Sequence, residues 1–366
     1  MAAPVGVAVV GCGFISSEYL GNLCSFADVR VLFCADIDVA RAKAQADAFN
    51  VPSSGTVEEA LASPEVELVV NLTIPAAHAA VTLAALEAGK HVWTEKPLAV
   101  DIASGRQLVA VAEAAGLLLG CAPDTMLGAG LQTSRRLIES GAIGKPLTAL
   151  ALMQASGPEL WHPDPEFLYQ RGAGPLFDIG PYYLSALATI LGPAASVAAL
   201  ARRSRDTRVI ATGPKAGTSF AVEAPTHVSA LISYAAGGAA TTVFSFESPL
   251  RRQGFLEITG TEATLAVPDP NRFDGVVRLR GVGDSDWTEV AAEGAADGRG
   301  LGVLDMARSL RHAVPHRATG ELGLHVLETM EAIALSAESG SFMPVTSSFA
   351  VPEVLDAGWD PQVLTV

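Results

Sequence analysis

Three side chains in this sequence have the chemistry and the neighbours to handle a proton or a developing negative charge. Lys96 stands in Glu95-Lys96-Pro97, directly after the short apolar run His91-Val92-Trp93-Thr94. A lysine at the C-terminal end of a parallel strand faces the ligand crevice of an open α/β sheet. There its ammonium can hydrogen-bond a substrate hydroxyl and stabilise alkoxide charge as it develops. Asp178 and Tyr182 are four apart after the glycine-rich stretch Gly172-Ala173-Gly174, so on a helix they share one face. A phenol can give up a proton at neutral pH, and a carboxylate beside it can orient a hydroxyl. Each group has a plainer reading. Lys96 fits a surface lysine ending a strand, and Asp178 and Tyr182 fit a helix cap and a core aromatic.

A ligand for that crevice is indicated further upstream. Val9-Val10-Gly11-Cys12-Gly13-Phe14-Ile15-Ser16 follows an apolar strand and opens a helical pattern. Gly11 permits a tight turn, and Gly13 lets the backbone approach a pyrophosphate held by amide N–H groups at the helix start. Ser16, in place of a third glycine, is small enough for close helix–strand packing. The next strand ends at Ala35-Asp36-Ile37-Asp38. Asp36 there can accept hydrogen bonds from ribose hydroxyls and repel a 2′-phosphate, which favours NAD, while Arg41 and Lys43 just beyond leave NADP open. Asp38 reads equally as a helix N-cap. Thr73-Ile74-Pro75 ends another strand and is expected against the cofactor, with His78 one turn into the following helix as a cofactor-side or packing group. The expected cofactor contacts are therefore Gly11, Gly13, Phe14, Ile15, Asp36, Arg41, Thr73, Ile74, Pro75, His78 and the Glu95-Lys96-Pro97 turn.

Stepping outward, the first 125 residues alternate apolar runs with amphipathic stretches. The runs Val5–Val10, Val29–Ala35, Glu67–Ile74, His91–Thr94 and Leu117–Ala122 predict strands. The intervening Ser17–Phe26, Ala40–Phe49, Val57–Leu61, Ala76–Ala88 and Ile102–Ala115 predict helices, with Gly89 and Gly116 as C-terminal caps. Apolar strands separated by helices predict a parallel, doubly wound α/β sheet, a Rossmann-type domain over residues 1–125. After Asp124 a helix Leu131–Glu139 gives way to alternating strands. Among them are Val228–Tyr234, a turn at Gly237-Gly238, Thr242–Phe246, Leu256–Thr259, Thr264–Val267 and Val276–Arg280. A helix is expected to start near Gly180, and two late helices at Leu304–His312 and Leu324–Ser336. Residues 126–366 thus read as an α+β domain with a mainly antiparallel sheet.

The chain has 366 residues, 49% of them hydrophobic and 17% charged, enough for two cores. Its formal net charge of −15 argues against nucleic acid or an anionic membrane as partner. No apolar run approaches the roughly 20 residues of a membrane span. No secretory leader is expected ahead of the strand at Val5, which points to the cytoplasm. Cys12, Cys24, Cys34 and Cys121 form no CxxC pair, are expected to be buried thiols, and predict no metal site.

The glycine loop, Glu95-Lys96-Pro97 and the Gly174–Tyr182 segment, in this order, resemble the glucose–fructose oxidoreductase / inositol dehydrogenase / rhizopine catabolism (Gfo/Idh/MocA) oxidoreductases. Ser140-Gly141-Ala142-Ile143-Gly144 and Gly260-Thr261-Glu262-Ala263-Thr264-Leu265 extend the resemblance over nearly the whole chain. It implies an N-terminal Rossmann domain and a C-terminal domain whose large sheet often makes a dimer or tetramer interface. It also implies hydride transfer between nicotinamide and a sugar, cyclitol or related polyol. Lys96 matches the family lysine and Asp178 its aspartate. Tyr182 falls where many members have histidine and some sugar and dihydrodiol dehydrogenases have tyrosine. Cys121-Ala122-Pro123-Asp124-Thr125 departs from an Asn-x-Arg found in many members. Trp161, His162, Tyr169 and Arg171 are the candidate substrate wall. Two rival expectations keep the fold: NAD-assisted glycoside cleavage without net redox change, and a non-catalytic nucleotide sensor.

Overall fold

The computed structural model describes residues 3–365. The first sheet is built from β1 (Val5–Val10), β2 (Val29–Ala35), β3 (Ser53–Gly55), β4 (Leu68–Asn71), β5 (His91–Thr94) and β6 (Leu119–Cys121), in the order β3-β2-β1-β4-β5-β6 with every pairing parallel. Every residue of β1 and β4 is buried, as a strand covered on both faces requires. Between the strands run α1 (Ser16–Leu23), α2 (Val39–Phe49), α3 (Val57–Ala62), α4 (Pro75–Glu87) and α5 (Ile102–Ala115).

The local signals explain the boundaries. Asp38 is the N-cap of α2, accepting from the amides of Ala40 and Arg41 at 3.1 and 3.3 Å. Thr56 and Glu59 form a capping box at α3, and Asp101 caps α5 through the Ser104 amide at 2.8 Å. Gly116 ends α5 in the left-handed region, φ 65°. Two expectations need correction, and one strand was not expected. The strand placed at Glu67–Ile74 spans only Leu68–Asn71, because its last residues turn to form the start of α4. The helix placed at Ser17–Phe26 stops at Leu23. The edge strand β3 has no apolar run to announce it.

In compactness the chain forms two units, 1–132 with 293–327 and 352–366, and 133–292 with 328–351. The helix α6 (Ala129–Glu139) leads into the second. Its sheet contains β7 (Pro146–Gln154), β8 (Ala194–Arg202), β11 (His227–Tyr234), β12 (Ala239–Ser245), β13 (Arg252–Gly260), β14 (Ala263–Val267), β15 (Val277–Gly281), β16 (Thr288–Val290) and β17 (Met343–Pro344). The order is β16-β15-β14-β13-β7-β12-β11-β8-β17; β7 and β12 run parallel and all other neighbours antiparallel. A separate two-stranded ribbon pairs β9 (Thr207–Val209) with β10 (Ser219–Ala221). The turn between β11 and β12 uses Gly237 and Gly238, at φ 94° and 93°.

The helix α7 (Pro175–Leu191) lies on β7, β11 and β12. It starts five residues earlier than the expected Gly180. Gly174 precedes it at φ 89°, where a Cβ would stand 2.6 Å from the Pro225 carbonyl oxygen, and Pro175 takes the first helical position. Tyr183 packs edge-on against Phe244 and its hydroxyl accepts the Gly254 amide at 2.7 Å. On the other side of the sheet Leu150, Leu200 and Leu231 are exposed, and the strand register places them on one face.

Two further helices, α8 (Leu301–His312) and α9 (Gly320–Ser339), complete the chain. The start of α8 packs on the fully buried Trp93 of β5, so closely that a Cβ on Gly302 would fall 2.0 to 2.7 Å from the indole ring. Gly302→Ala is expected to destabilise by about 1–3 kcal/mol through overpacking, outweighing the roughly 1 kcal/mol gained in helix propensity. Urea denaturation with an unchanged slope would read that loss; a variant as stable as the parent would show that Trp93 is free to shift.

Candidate active site

Five loops at the C-terminal ends of β1, β2, β4, β5 and β6 carry the candidate nucleotide-side groups. Gly11, at φ 95°, sits so close to the β4 loop that a Cβ would lie 2.7 to 2.8 Å from Leu72 and Thr73 main-chain atoms. No other residue fits this turn. Around Gly13 no atom lies within 4 Å of a would-be Cβ. Among the described residues, the amides of Gly13, Phe14 and Ile15 donate to no protein acceptor. Three free N–H groups at the start of α1, on a turn open at Gly13, fit a dinucleotide pyrophosphate. Ser16 is buried where α1 meets the sheet, and its hydroxyl donates to the Gly13 carbonyl at 2.6 Å.

Asp36 closes the other side of that turn. One oxygen accepts the Cys12 amide at 2.7 Å; the other accepts the Asp38 amide and the Arg41 guanidinium, both at 2.9 Å. Burial alone would raise the Asp36 pKa, but these donors outweigh it and hold the carboxyl below its ordinary value. The carboxylate is thus charged, keeps acceptor capacity for a ribose hydroxyl, and already neutralises Arg41. Beside it, Ile37 is 95% exposed; Phe14 is 93% and Ile74 70% exposed. Three large apolar side chains standing in water at the ends of β1, β2 and β4 suit the flat faces of a bound base. The sequence reading missed Ile37. Its position directly after the acidic strand end was the available signal.

The Lys96 turn is held by a chain of donors. Trp93 Nε1 donates to the Tyr19 hydroxyl at 3.2 Å, Tyr19 donates to Glu95 Oε1 at 2.8 Å, and Glu95 Oε2 accepts the Lys96 amide at 2.9 Å. Burial, then the Glu95 charge, pushes the Tyr19 phenol far above its ordinary pKa, so it remains a donor. Glu95, expected as a cofactor contact, accepts a protein donor at each oxygen and through the Lys96 amide holds the main chain of the turn. The Lys96-Pro97 peptide is cis.

His78 is likewise corrected. The ring is 1% exposed, with Nδ1 2.7 Å from the Pro97 carbonyl oxygen and Nε2 2.9 Å from that of Thr73. It bridges the β4 and β5 loops from behind, and burial lowers its pKa. Thr73 also turns inward, its hydroxyl donating to Asn71 at 2.7 Å. Asp124, where many relatives of the resembled family have Asn-x-Arg, is fully buried. It accepts the Gly300 amide at 2.7 Å and pairs with Arg299 at 3.2 Å, so it holds the start of α8. Among the thiols, Cys12, Cys34 and Cys121 are buried, but Cys24, at the C-cap of α1, is exposed.

In the second unit, Asp178 lies one turn inside α7: its own amide donates to the Gly174 carbonyl at 3.1 Å. It is thus not the helix cap, and Tyr182 follows one turn later on the same face. Tyr182 is 7% exposed. Of the expected wall, Trp161 is exposed and meets His162 edge-on at 5.5 Å, and His162 meets the exposed Phe167 at the same distance. The Arg171 side chain is exposed, with its amide directed to Glu223 at 3.3 Å. Tyr169 is not a wall residue. It is fully buried, donates to Glu159 and packs on Phe220 and Phe246. Phe167 takes its place in the exposed aromatic group. No group of His, Cys, Asp and Glu suited to a metal occurs among the described residues, nor any helix long and apolar enough to cross a membrane.

Comparison with known proteins accords with this layout. The Gfo/Idh/MocA oxidoreductase-family model, described as an NAD-binding Rossmann fold, matches residues 5–122, and the model of that family's C-terminal domain matches 131–266. Mouse trans-1,2-dihydrobenzene-1,2-diol dehydrogenase is 30% identical over 187 residues, 50% of this chain and 55% of that enzyme. The 1,5-anhydro-D-fructose reductase of Ensifer adhaerens is 32% identical over 142 residues, 38% of this chain and 43% of the reductase. The chain thus matches about half the length of these curated relatives. An NAD binding oxidoreductase from Klebsiella pneumoniae superposes with a TM-score of 0.84 at 22% identity, over 94% of this chain and 100% of that one. Levoglucosan dehydrogenase in complex with NADH does so at 0.82 and 20%, with the same coverage. These structures share the fold. With both domain models matched in chain order, the chain belongs to the Gfo/Idh/MocA oxidoreductases and carries their NAD-binding Rossmann domain.

Proposed function

We propose that the protein is an NAD-dependent dehydrogenase moving a hydride between nicotinamide and a CH–OH carbon of a sugar, cyclitol or related polyol. The observation that carries this reading is the main-chain anchoring of Lys96 by Glu95 at the end of β5, in the same sheet as the glycine loop. When bound, the nicotinamide supplies the hydride acceptor at its C4. Lys96 hydrogen-bonds the reacting hydroxyl and stabilises the alkoxide as the hydride leaves. Tyr182 or Lys96 takes the hydroxyl proton, and Asp178 orients the substrate. Trp161, His162 and Arg171, with Phe167, form the substrate wall. The relatives' names support this class, since a dihydrodiol, an anhydrofructose and levoglucosan all react at a carbinol or its ketone. The exposed leucines on the large sheet support a homodimer or homotetramer.

The preference for NAD follows from Asp36. Its charge repels a 2′-phosphate and it occupies Arg41, a cation that could otherwise receive one. Asp36→Ala is expected to weaken NADH binding by about tenfold or more while weakening NADPH less, because Arg41 is released. Quenching of protein fluorescence by each cofactor measures both; equal losses would mean that Asp36 holds the turn without reading the ribose.

Turnover itself is tested by screening sugars and polyols with NAD and NADP in parallel, following the absorbance of the reduced nicotinamide. In an active pairing, Lys96→Ala is expected to lower kcat by about a thousandfold or more with NADH affinity nearly unchanged. Full activity in that variant would sink the assignment of Lys96, and product formed with no accumulation of NADH would replace net oxidation with a redox-neutral reaction.

A further inference from the structure

Between Gly157 and Gly174 the chain has only two short 3-10 turns, Pro158–Leu160 and Glu166–Tyr169. The exposed rings of Trp161 and Phe167 stand on this segment with His162 wedged between them. The segment's own backbone bonds are local, such as those of the Trp161 and His162 amides to the Pro158 carbonyl at 3.1 and 2.8 Å, so its place on the molecule depends on ties to other elements. Two of its side chains, Glu159 and Tyr169, turn inward and meet at one group, Arg208 on the β9–β10 ribbon, while Asp164 and Glu166 pair with Lys215 at the surface, at 2.7 and 3.0 Å.

Arg208 is 3% exposed in its side chain. Nη1 pairs with Glu159 and donates to the Ser156 carbonyl at 3.3 Å; Nη2 pairs with Glu247 at 2.6 Å and donates to the Phe246 carbonyl at 3.3 Å. Its guanidinium carbon lies 5.3 Å from the centre of the Tyr169 ring, whose hydroxyl donates to the second Glu159 oxygen. Main-chain bonds add to the joint. The Ala211 amide donates to the Glu159 carbonyl at 2.9 Å, and the Glu223 and Ala224 amides donate to that of Tyr169 at 2.8 and 2.9 Å. Gly157, at φ 108°, leaves no room for a Cβ, which would lie 2.3 to 2.8 Å from Glu159, Tyr169 and Arg208. Carboxylates buried this deeply require a partner, and a planar guanidinium supplies one with fixed directions.

We infer that Arg208 is a positioning residue for substrate recognition: through Glu159 and Tyr169 it fixes where Trp161, His162 and Phe167 stand, and so sets affinity for the sugar or polyol ring. The inference rests on the reading of that segment as the substrate wall. The chemistry it serves is stacking of a ring's C–H face on the electron-rich face of an indole or phenyl group. Such contact is sensitive to displacement, and an error of an ångström in a positioning group costs far more than its own bond.

Arg208→Met, Arg208→Lys, Tyr169→Phe and Trp161→Ala test it in the full chain. With the substrate found in the screen, Arg208→Met is expected to raise KM about tenfold, with kcat and NADH affinity nearly unchanged and Arg208→Lys recovering part of the loss. Chymotrypsin should cut the folded variant faster at Leu160, Trp161 and Phe167, located by mass spectrometry. Should Arg208→Met fail to fold, Tyr169→Phe removes only the hydroxyl on Glu159 and gives both readouts. Cleavage and KM unmoved in the folded variants would overturn the inference. So would a parallel fall of kcat, NADH affinity and melting temperature, the mark of general destabilisation. Faster cleavage with a KM that Trp161→Ala leaves unchanged would instead remove the wall reading and keep the anchor.

Discussion

Each oxygen of the half-buried Glu95 takes a protein donor close to Lys96. One takes the Tyr19 hydroxyl from α1 and the other takes the Lys96 amide itself. The helix that begins at the glycine turn is thereby joined to the strand end that carries the lysine. Trp93 extends the joint inward, donating to Tyr19 while its ring fills the space left by Gly302 and Gly120. The glycine turn and the strand end that carries Lys96 consequently belong to one packed body, the kind of preorganisation that the proposed hydride transfer calls for.

The same economy governs the anion site. A protein of net charge −15 has little basic surface to offer a dinucleotide. Arg41, just beyond the second strand, is committed to Asp36. The main-chain amides of Gly13, Phe14 and Ile15 at the start of α1, unpaired among the described residues, are suited to an anion without any basic side chain. Asp36 meanwhile holds the Cys12 amide. One carboxylate thus ties the glycine turn after β1 to the end of β2.

What could be seen in the sequence and what could not divide along the range of the interactions. The strands β1, β2 and β5 and the helix α5 fall where apolar runs and caps put them, because burial on two faces and an N-cap at Asp101 are local facts. The strands β3, β7 and β8 are among those the sequence reading does not place: β3 has no apolar run, and β7 and β8 are alanine-containing stretches with weak alternation. The start of α7 is written in Gly174-Pro175, a turn glycine before a first-position proline, whereas Gly180-Pro181, which reads like a second start, lies inside the helix. Side-chain roles were harder. That Glu95 serves Tyr19, that His78 spans two carbonyls, and that Tyr169 lies inside while Phe167 lies outside are facts of pairing between distant residues. No spacing rule encodes them. Asp124 looked like a gap in a motif and is in fact the anchor of a helix far along the chain.

The ribbon of β9 and β10 is hydrogen-bonded as a sheet of its own, apart from the large sheet. The aromatic segment is tied to it at Glu159 and Tyr169, and the side chains between those ties mostly face water. Exposed positions of this kind tolerate exchange at a cost within about 0.5 kcal/mol. Mutation can therefore redraw the rim, swapping an indole for a smaller or charged group, while the buried ties and the nucleotide half stay as they are. A lineage built on this chassis can diversify what it accepts without renegotiating how it folds.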